Sequence, residues 1–166
     1  MPSTKNTKLI VFADDDADDR LLLQEAFEEN NLACRLDFVE DGVELLDYLK
    51  KNTAFPSLIL LDINMPRKDG TQILKELKSS AKWRHIPVIM FTTSKSPEDI
   101  RKCYDLGANS FIVKPSSFES LVSVTHTIGQ YWIETVSLHA EAHSYWGGVA
   151  HFYILHFTFG KSTERV

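Results

Sequence analysis

Five short aliphatic runs, separated by longer polar and amphipathic stretches, constrain the fold more than any other feature of this chain. The clearest is Leu58–Leu61, four apolar residues that lead directly into Asp62 and then into a loop with Asn64, Pro66 and Gly70. A short unbroken aliphatic run between turn residues is typical of a strand buried on both faces, as in a parallel sheet. The acid that follows it is predicted to lie at the carboxyl edge of that sheet, where such folds bind ligands.

The remaining runs and the helical periodicity between them define the fold class. The other four runs cover residues 8–13, 35–39, 87–91 and 109–113. Apolar side chains at helical spacing follow each run, and Ser96 with Asp99 and Ser116 with Glu119 resemble capping boxes; the last helix is predicted to reach about Val136. Five strands alternating with five helices predict a doubly wound (βα)5 α/β sandwich of the flavodoxin-like type. Its five-stranded parallel sheet is expected in the order 2-1-3-4-5.

Length and charge narrow the class of protein. The 166 residues suit one domain with an appendage, and we place the domain at residues 8–136 and a C-terminal extension at residues 137–166. A net charge of −5 argues against a nucleic-acid-binding surface. The residues after the domain show no helix-turn-helix pattern or basic stripe, so we expect no nucleic-acid partner.

The chain is predicted to be cytoplasmic and not bound to a membrane. No apolar run approaches the length of about 18 residues that a membrane span requires, and the polar start lacks the apolar stretch of a signal peptide. Cys34 and Cys103 have neither a disulfide framework nor zinc-ligand spacing. Both are expected to be reduced thiols.

Polar residues follow four of the five strands and are expected to meet in one cleft. Asp14 and Asp15 follow the first strand, Asp62 the third, Thr92 the fourth and Lys114 the fifth. Three carboxylates this close repel one another unless a cation is present, and Mg²⁺ is the expected cation because it prefers oxygen ligands. A metal, a lysine and a hydroxyl around a carboxylate suit an incoming phosphoryl group, which the carboxylate would accept as a nucleophile.

The series strand-DD, strand-DxNMPxxDG, strand-T and strand-KP resembles the receiver domain of bacterial two-component response regulators (CheY-like). The resemblance covers residues 8–136 with every motif in order. It implies that Asp62 is the phosphoacceptor, that Asp15 is a direct metal ligand and that Asp14 acts mainly through water. It also implies that the backbone carbonyl of Asn64 completes the protein ligands of the metal.

Further roles follow from the same resemblance. Thr92 and Lys114 would contact the phosphoryl oxygens, and the Lys114–Pro115 peptide bond would be cis. Thr92 and Phe111 would form the switch that reports phosphorylation, with packing alone as its basis, because Phe111 lacks the hydroxyl of a tyrosine.

The sequence segments NMPRKDG, FTTS and YWIETVSL resemble those of single-domain regulators that partner phytochrome-type histidine kinases. The function this implies is a phosphoprotein of phosphorelay signalling, phosphorylated on Asp62 by a sensor histidine kinase and switching protein–protein interactions. An intermediate that passes the phosphoryl group to a histidine phosphotransferase is the alternative. A homodimer through the final helix and the face formed by helix 4, strand 5 and helix 5 is also implied.

Several alternatives stay open. The acidic pair shifts to Asp15 and Asp16 if the first strand ends one residue later, and Thr93 competes with Thr92. Asp16, Asp18 and Asp19 are explained as charges at a helix start.

The residues disfavour two other classes of function. A phosphoaspartyl-type phosphatase is disfavoured because Asn64 stands where those enzymes carry a second, proton-transferring Asp. A flavodoxin-like cofactor binder is disfavoured because the acidic loop at residues 14–19 has the wrong charge for a phosphate. We therefore expect a phosphoacceptor that helps to catalyse its own phosphorylation and dephosphorylation, and not a turnover enzyme.

Residues 140–166 are rich in histidine and aromatic side chains. His139 and His143 have i, i+4 spacing, but a metal site there is the lesser possibility. Residues 149–159 have the pattern of an apolar strand that docks on the domain or on another chain. An extension related to expression or to translation is equally consistent with the composition.

Overall fold

Five parallel strands form a single sheet in the order β2-β1-β3-β4-β5 in the computed structural model, which describes residues 7–138. The strands are β1 (Lys8–Ala13), β2 (Cys34–Val39), β3 (Leu58–Leu61), β4 (Val88–Thr92) and β5 (Ser110–Val113). The helices are α1 (Ala17–Glu29), α2 (Gly42–Lys51), α3 (Gly70–Ser79), α4 (Pro97–Asp105) and α5 (Phe118–Ile128). The predicted doubly wound (βα)5 fold and its strand order are confirmed.

Two apolar layers, one on each face of the sheet, form the core. Alternate strand residues point to opposite faces, so that Val11, Ile59 and Met90 pack in one layer, whereas Phe12 and Leu60 pack in the other. Side chains of α2 and α3 complete the first layer, and side chains of α1 and α5 complete the second. The all-buried β3 is the central strand that the unbroken aliphatic run predicted.

The apolar face of α1 includes only the last of its three consecutive leucines. Leu23, Ala26 and Phe27 are buried, whereas Leu21 and Leu22 are 54% and 40% exposed. Any of three consecutive leucines can lie on the apolar face of a helix, and the packing of α1 against the sheet places the third, Leu23, on that face.

The ends of the last helix differ from the prediction. The cap of α5 is Ser117, not Ser116, because the Ser117 side chain accepts a hydrogen bond from the amide of Ser120. After Ile128 the helix continues as a π-helical segment, Gly129–Thr135, in place of the α-helix expected to about Val136. At α4, Ser96 caps the amide of Asp99, but the Asp99 carboxylate accepts from Ser94 and closes no capping box.

The register of the sheet aligns the carboxyl ends of its central strands. Ala13 pairs with Leu61, and Leu61 pairs with Met90. The amide of Asp62 donates to the carbonyl oxygen of Ala13 at 3.0 Å, so the residues that follow β1 and β3 lie side by side. The predicted site residues therefore meet at this edge.

The remaining predictions concern membrane spans and the C-terminal tail. Among residues 7–138, the helices are too short or too polar to cross a bilayer. The predictions for the tail, His139 and His143 among them, fall on residues 139–166 and lie outside the described residues.

Candidate functional site

Three carboxylates meet at the carboxyl edge of β1 and β3. Asp14 and Asp62 are buried, and the amide of each donates to a carbonyl oxygen of the neighbouring strand, while Asp15 is exposed. One carboxylate oxygen from each of Asp14, Asp15 and Asp62 lies within 4.8 Å of the others. The structure thus brings together the three acids whose convergence was predicted from the strand ends.

Lys114 reaches this cluster from the end of β5 and binds three carboxylates. Its Nζ donates to Asp14 Oδ2 at 2.5 Å, to Asp19 Oδ2 at 2.6 Å and to Asp62 Oδ2 at 3.2 Å. The Lys114 side chain is 9% exposed. A buried ammonium with these partners offsets part of the repulsion among the acids.

The electrostatics of the cluster follow from burial and from this lysine. Burial raises the pKa of Asp14 to about 6, although Lys114 lowers it by hydrogen bonding and by charge. Burial alone would lower the pKa of Lys114, but its hydrogen bonds to Asp14 and Asp19 outweigh burial and raise it. Lys114 is therefore a fixed positive charge at any physiological pH.

The backbone of the loop between β3 and α3 packs closely against Asp62. The amide of Gly70 donates to Ile63 O at 2.9 Å, and the amide of Asn64 donates to Asp62 Oδ1 at 3.3 Å. A Cβ at position 70 would overlap the carbonyl oxygen of Asp62, so this approach requires glycine. Asp69 caps α3 through a complete capping box. The side chain of Asn64 is exposed.

Thr92 is the last residue of β4 and is fully buried. Its Oγ1 accepts from the amide of Ser94 at 3.3 Å, and Ser94 Oγ donates to Asp99 at 2.5 Å. Its carbonyl oxygen accepts from the amide of Lys114 at 2.8 Å. Thr92 thus lies beside the cluster, while among residues 7–138 its hydroxyl is hydrogen-bonded within its own loop. The neighbouring Thr93 is exposed.

Phe111 on β5 is half-buried and packs against the first apolar layer. It pairs in register with Met90 of β4. The expectation of a cis Lys114–Pro115 peptide bond was wrong, because the described residues contain no cis peptide bond. The trans isomer is the one that X–Pro bonds favour by about 0.5–1 kcal/mol.

Sequence reasoning missed two residues of the cluster. Asp19 was explained as a helix-start charge alone, yet it binds Lys114; the signal available was its place in the first turn of the helix that follows the acidic pair. Arg20 Nη1 donates to the carbonyl oxygen of Asp14 at 2.6 Å, and its Nη2 to Glu40 at 3.2 Å. Asp16 is the N-cap of α1, as its placement at the helix start predicted.

The donor set fits a hard divalent cation. Three carboxylates offer oxygen ligands at one point, one of them is exposed to solvent, and Mg²⁺ and similar ions bind through one or two carboxylates with waters completing the shell. The same site contains Lys114, whose ammonium group can bind an anionic oxygen. The site thus combines oxygen ligands suited to a cation with an ammonium group suited to an anion.

A doubly wound sheet with this arrangement at its carboxyl edge defines a receiver domain. The response regulator receiver domain family matches residues 10–126. The match covers more than half of the chain, and the chain therefore belongs to this family of two-component signalling proteins, whose members bind a divalent metal ion.

The relatives include regulators linked to phytochromes. Response regulator Rcp1 of Synechocystis sp. is 33% identical over 138 residues, which are 80% of this chain and 94% of Rcp1. The crystal structure of the Mn²⁺-bound form of Rcp1 is similar with a TM-score of 0.73 and 32% identity, covering 79% of this chain and 98% of the other.

The crystal structure of the phosphorylated cyanobacterial phytochrome response regulator RcpA is similar with a TM-score of 0.76 and 35% identity, covering 80% of this chain and 99% of the other. The resemblance to phytochrome-linked response regulators drawn from the sequence is confirmed at the level of relatives.

Proposed function

We propose that this protein is a phosphorylation-controlled switch in which Asp62 accepts the phosphoryl group. The observation that carries the proposal is the placement of the buried Asp62 carboxylate 3.2 Å from Lys114 Nζ and within 4.8 Å of the Asp14 and Asp15 carboxylates. A carboxylate with a fixed cation on one side and metal-ligand oxygens on the other is suited to stabilise charge in phosphoryl transfer.

The chemistry is a displacement at phosphorus. A carboxylate oxygen of Asp62 forms a new O–P bond while the N–P bond of a donor phosphohistidine breaks, and the electron pair of that bond stays on the imidazole nitrogen. Lys114 donates to the oxygens of the transferred group. The residues help to catalyse both this step and the later hydrolysis, so the protein is a phosphoacceptor and not a turnover enzyme.

We assign the cation as Mg²⁺, held by Asp14, Asp15, Asp62 and the backbone carbonyl of Asn64. When bound, it neutralises charge on the phosphoryl oxygens. Asp15 is the exposed member of the set, consistent with direct ligation, and the buried Asp14 is the one expected to act mainly through water.

The switch is proposed to begin at Thr92. The Thr92 hydroxyl now accepts from the Ser94 amide, and a phosphoryl group on Asp62 would offer a charged acceptor for the hydrogen of that hydroxyl. Movement of Thr92 would pull the β4–α4 loop, which Ser94 and Asp99 hold together. Phe111, half-buried on the neighbouring strand, would then repack.

The phosphoryl donor is proposed to be a sensor histidine kinase of the phytochrome type, on the strength of the similarity to Rcp1 and RcpA. The output is proposed to be a protein target. Transfer to a histidine phosphotransferase is the alternative.

The receiver domain is proposed to span residues 8–136, with residues 137–166 as an extension. Lys8 Nζ at the start of β1 donates to Val136 O, which ties the two ends of this span together. We also propose a homodimer through the final helix and the face of α4, β5 and α5. β5 is an edge strand whose four residues are all half-buried, and Tyr104 of α4 and Tyr131 of the π-helical segment are 50% and 53% exposed.

Labelling with acetyl phosphate and Mg²⁺ tests the central assignment. We expect intact-protein mass spectrometry to show one base-labile phosphoryl group on the wild-type chain and none on Asp62→Asn. Asp69→Asn is the matched control, because it changes the same loop while asparagine still caps a helix. Undiminished labelling of folded Asp62→Asn, or continuous turnover of phosphate monoesters by the wild type, would overturn the proposal.

A further inference from the structure

We propose that Asp19 is a positioning residue that competes with the phosphoryl group for Lys114. The inference rests on the proposed function of Asp62 and deepens it. It starts from the contact between Lys114 Nζ and Asp19 Oδ2, which at 2.6 Å is as short as the contact with Asp14 at 2.5 Å and shorter than that with Asp62 at 3.2 Å.

The ammonium of Lys114 has no hydrogen left for a fourth acceptor. A lysine ammonium carries three N–H donors, and the three carboxylates of Asp14, Asp19 and Asp62 take one each. A phosphoryl group on Asp62 brings new anionic oxygens to the same point. The hydrogen now bound by Asp62 can pass to one of these oxygens, so Lys114 can bind a second one only if Asp14 or Asp19 is released.

Burial identifies the partner that leaves. The Asp14 side chain is 0% exposed, so its release would leave a buried carboxylate without its cation. Asp62 itself becomes the acyl phosphate. The Asp19 side chain is 34% exposed on the first turn of α1, and it can exchange Lys114 for water at a much smaller cost in desolvation. Asp19 is therefore the partner that is exchanged.

The negative charge of Asp19 acts in opposite directions on the two ligands of the site. It lies close enough to favour a cation bound among Asp14, Asp15 and Asp62, and it disfavours an anion bound at Lys114. Removal of the charge should thus weaken cation binding while strengthening binding of a phosphoryl group. A role limited to capping or stabilising α1 would not separate the two affinities in this way.

Asp19→Asn and Asp18→Asn form a matched pair of variants. Both remove one negative charge from the first turn of α1, but Asp18 is exposed and is not among the carboxylates that bind Lys114 in the described part of the chain. Beryllium fluoride in saturating Mg²⁺ serves as the phosphoryl probe, with occupancy measured by ¹⁹F NMR. Mg²⁺ affinity without beryllium fluoride is measured by calorimetry.

For Asp19→Asn we expect about twofold to fivefold tighter beryllium fluoride binding together with weaker Mg²⁺ binding, the size typical of a partly exposed ion pair. Asp18→Asn should leave the ratio of the two affinities within about twofold of wild type. Equal ratios in the two variants, or weaker binding of both ligands to Asp19→Asn, would overturn the inference.

The same experiment separates this inference from the proposed function. If wild-type protein binds no beryllium fluoride, or if folded Asp62→Asn binds it as well as wild type does, the assignment of Asp62 fails. If wild type binds it, Asp62→Asn does not, and Asp19→Asn matches Asp18→Asn, the role of Asp19 alone fails.

Discussion

Burial of single residues sets the electrostatics of the acidic cluster. Asp14 is fully buried, and burial raises its pKa to about 6 even though Lys114 binds it. Its ionised form is thus destabilised in the folded state relative to the unfolded chain, where the pKa is 3.8. Between these two values the folded protein binds more protons than the unfolded chain, and its stability falls as pH rises.

We expect Asp14→Asn to be more stable than wild type at pH 7.5 without metal, by up to about 3 kcal/mol. The difference should vanish as pH falls from about 6 to about 4, because the wild-type carboxyl is then protonated and neutral like the amide. Urea unfolding in EDTA at several pH values measures it.

Mg²⁺ provides the control for this prediction, since it should stabilise wild type at pH 7.5 more than Asp14→Asn. A wild-type stability that rises between pH 4 and pH 6 relative to the variant would contradict the assigned sign.

At the scale of elements, the start of α3 positions the Asp62 loop. Gly70 begins the helix with its backbone in contact with Asp62 and Ile63, and the Asp69 capping box fixes where the helix starts. The conformation of the loop is therefore coupled to the helix through one residue without a side chain. Gly107, just after α4, is required for a different reason, since its φ of +97° is a backbone conformation that favours glycine.

We expect Gly70→Ala to lose about 1–3 kcal/mol of stability, because the added methyl group overlaps backbone that cannot move without shifting Asp62. Labelling of the folded variant by acetyl phosphate should be slowed at least about tenfold, as expected from a displaced nucleophile. The measurements are urea unfolding and the time course of labelling.

Gly107→Ala is the matched control, because its positive φ makes alanine cost about 1–2 kcal/mol. The nearest neighbour of a methyl group added at position 107 is the side chain of Lys78. Wild-type labelling by Gly70→Ala, or equal slowing in both variants, would show that the effect comes from stability and not from loop position.

At the scale of the molecule, α1 and α5 close one face of the sheet and bring the two ends of the domain together. Asn30 Nδ2 donates to Val122 O and to Thr125 Oγ1, both at 2.9 Å. The backbone of Gly129 packs directly on the Leu32 side chain. The chain from β1 to the π-helical segment is thus one packed unit.

We expect a chain ending at Leu138 to unfold in one cooperative transition and to form the proposed dimer, because the contacts argued for both lie within residues 7–138. Sedimentation with and without beryllium fluoride and Mg²⁺ measures the dimer, and urea unfolding measures cooperativity. A monomer at every concentration tested would contradict the dimer, and loss of cooperative unfolding would contradict the domain boundary.

Much of the fold and of the site could be predicted from the sequence, for physical reasons that are visible in particular residues. Leu58–Leu61 allows burial on both faces and thus a parallel sheet, and the acids at Asp14, Asp15 and Asp62 follow strands whose ends must share an edge. Helix starts were less predictable, because Ser116 and Ser117 are equivalent as caps until the helix is packed.

The sequence by itself determined the class of fold, the strand order and the edge at which the polar residues meet, since these depend on periodicity and on the handedness of parallel connections. Tertiary structure alone decided which carboxylates share Lys114. The distances from Lys114 to Asp14, Asp19 and Asp62 are set by side chains that are up to 100 positions apart in the chain, and by how deeply each is buried. Local pattern carries no information on such contacts, because the desolvation and charge that govern them exist only once the elements have packed.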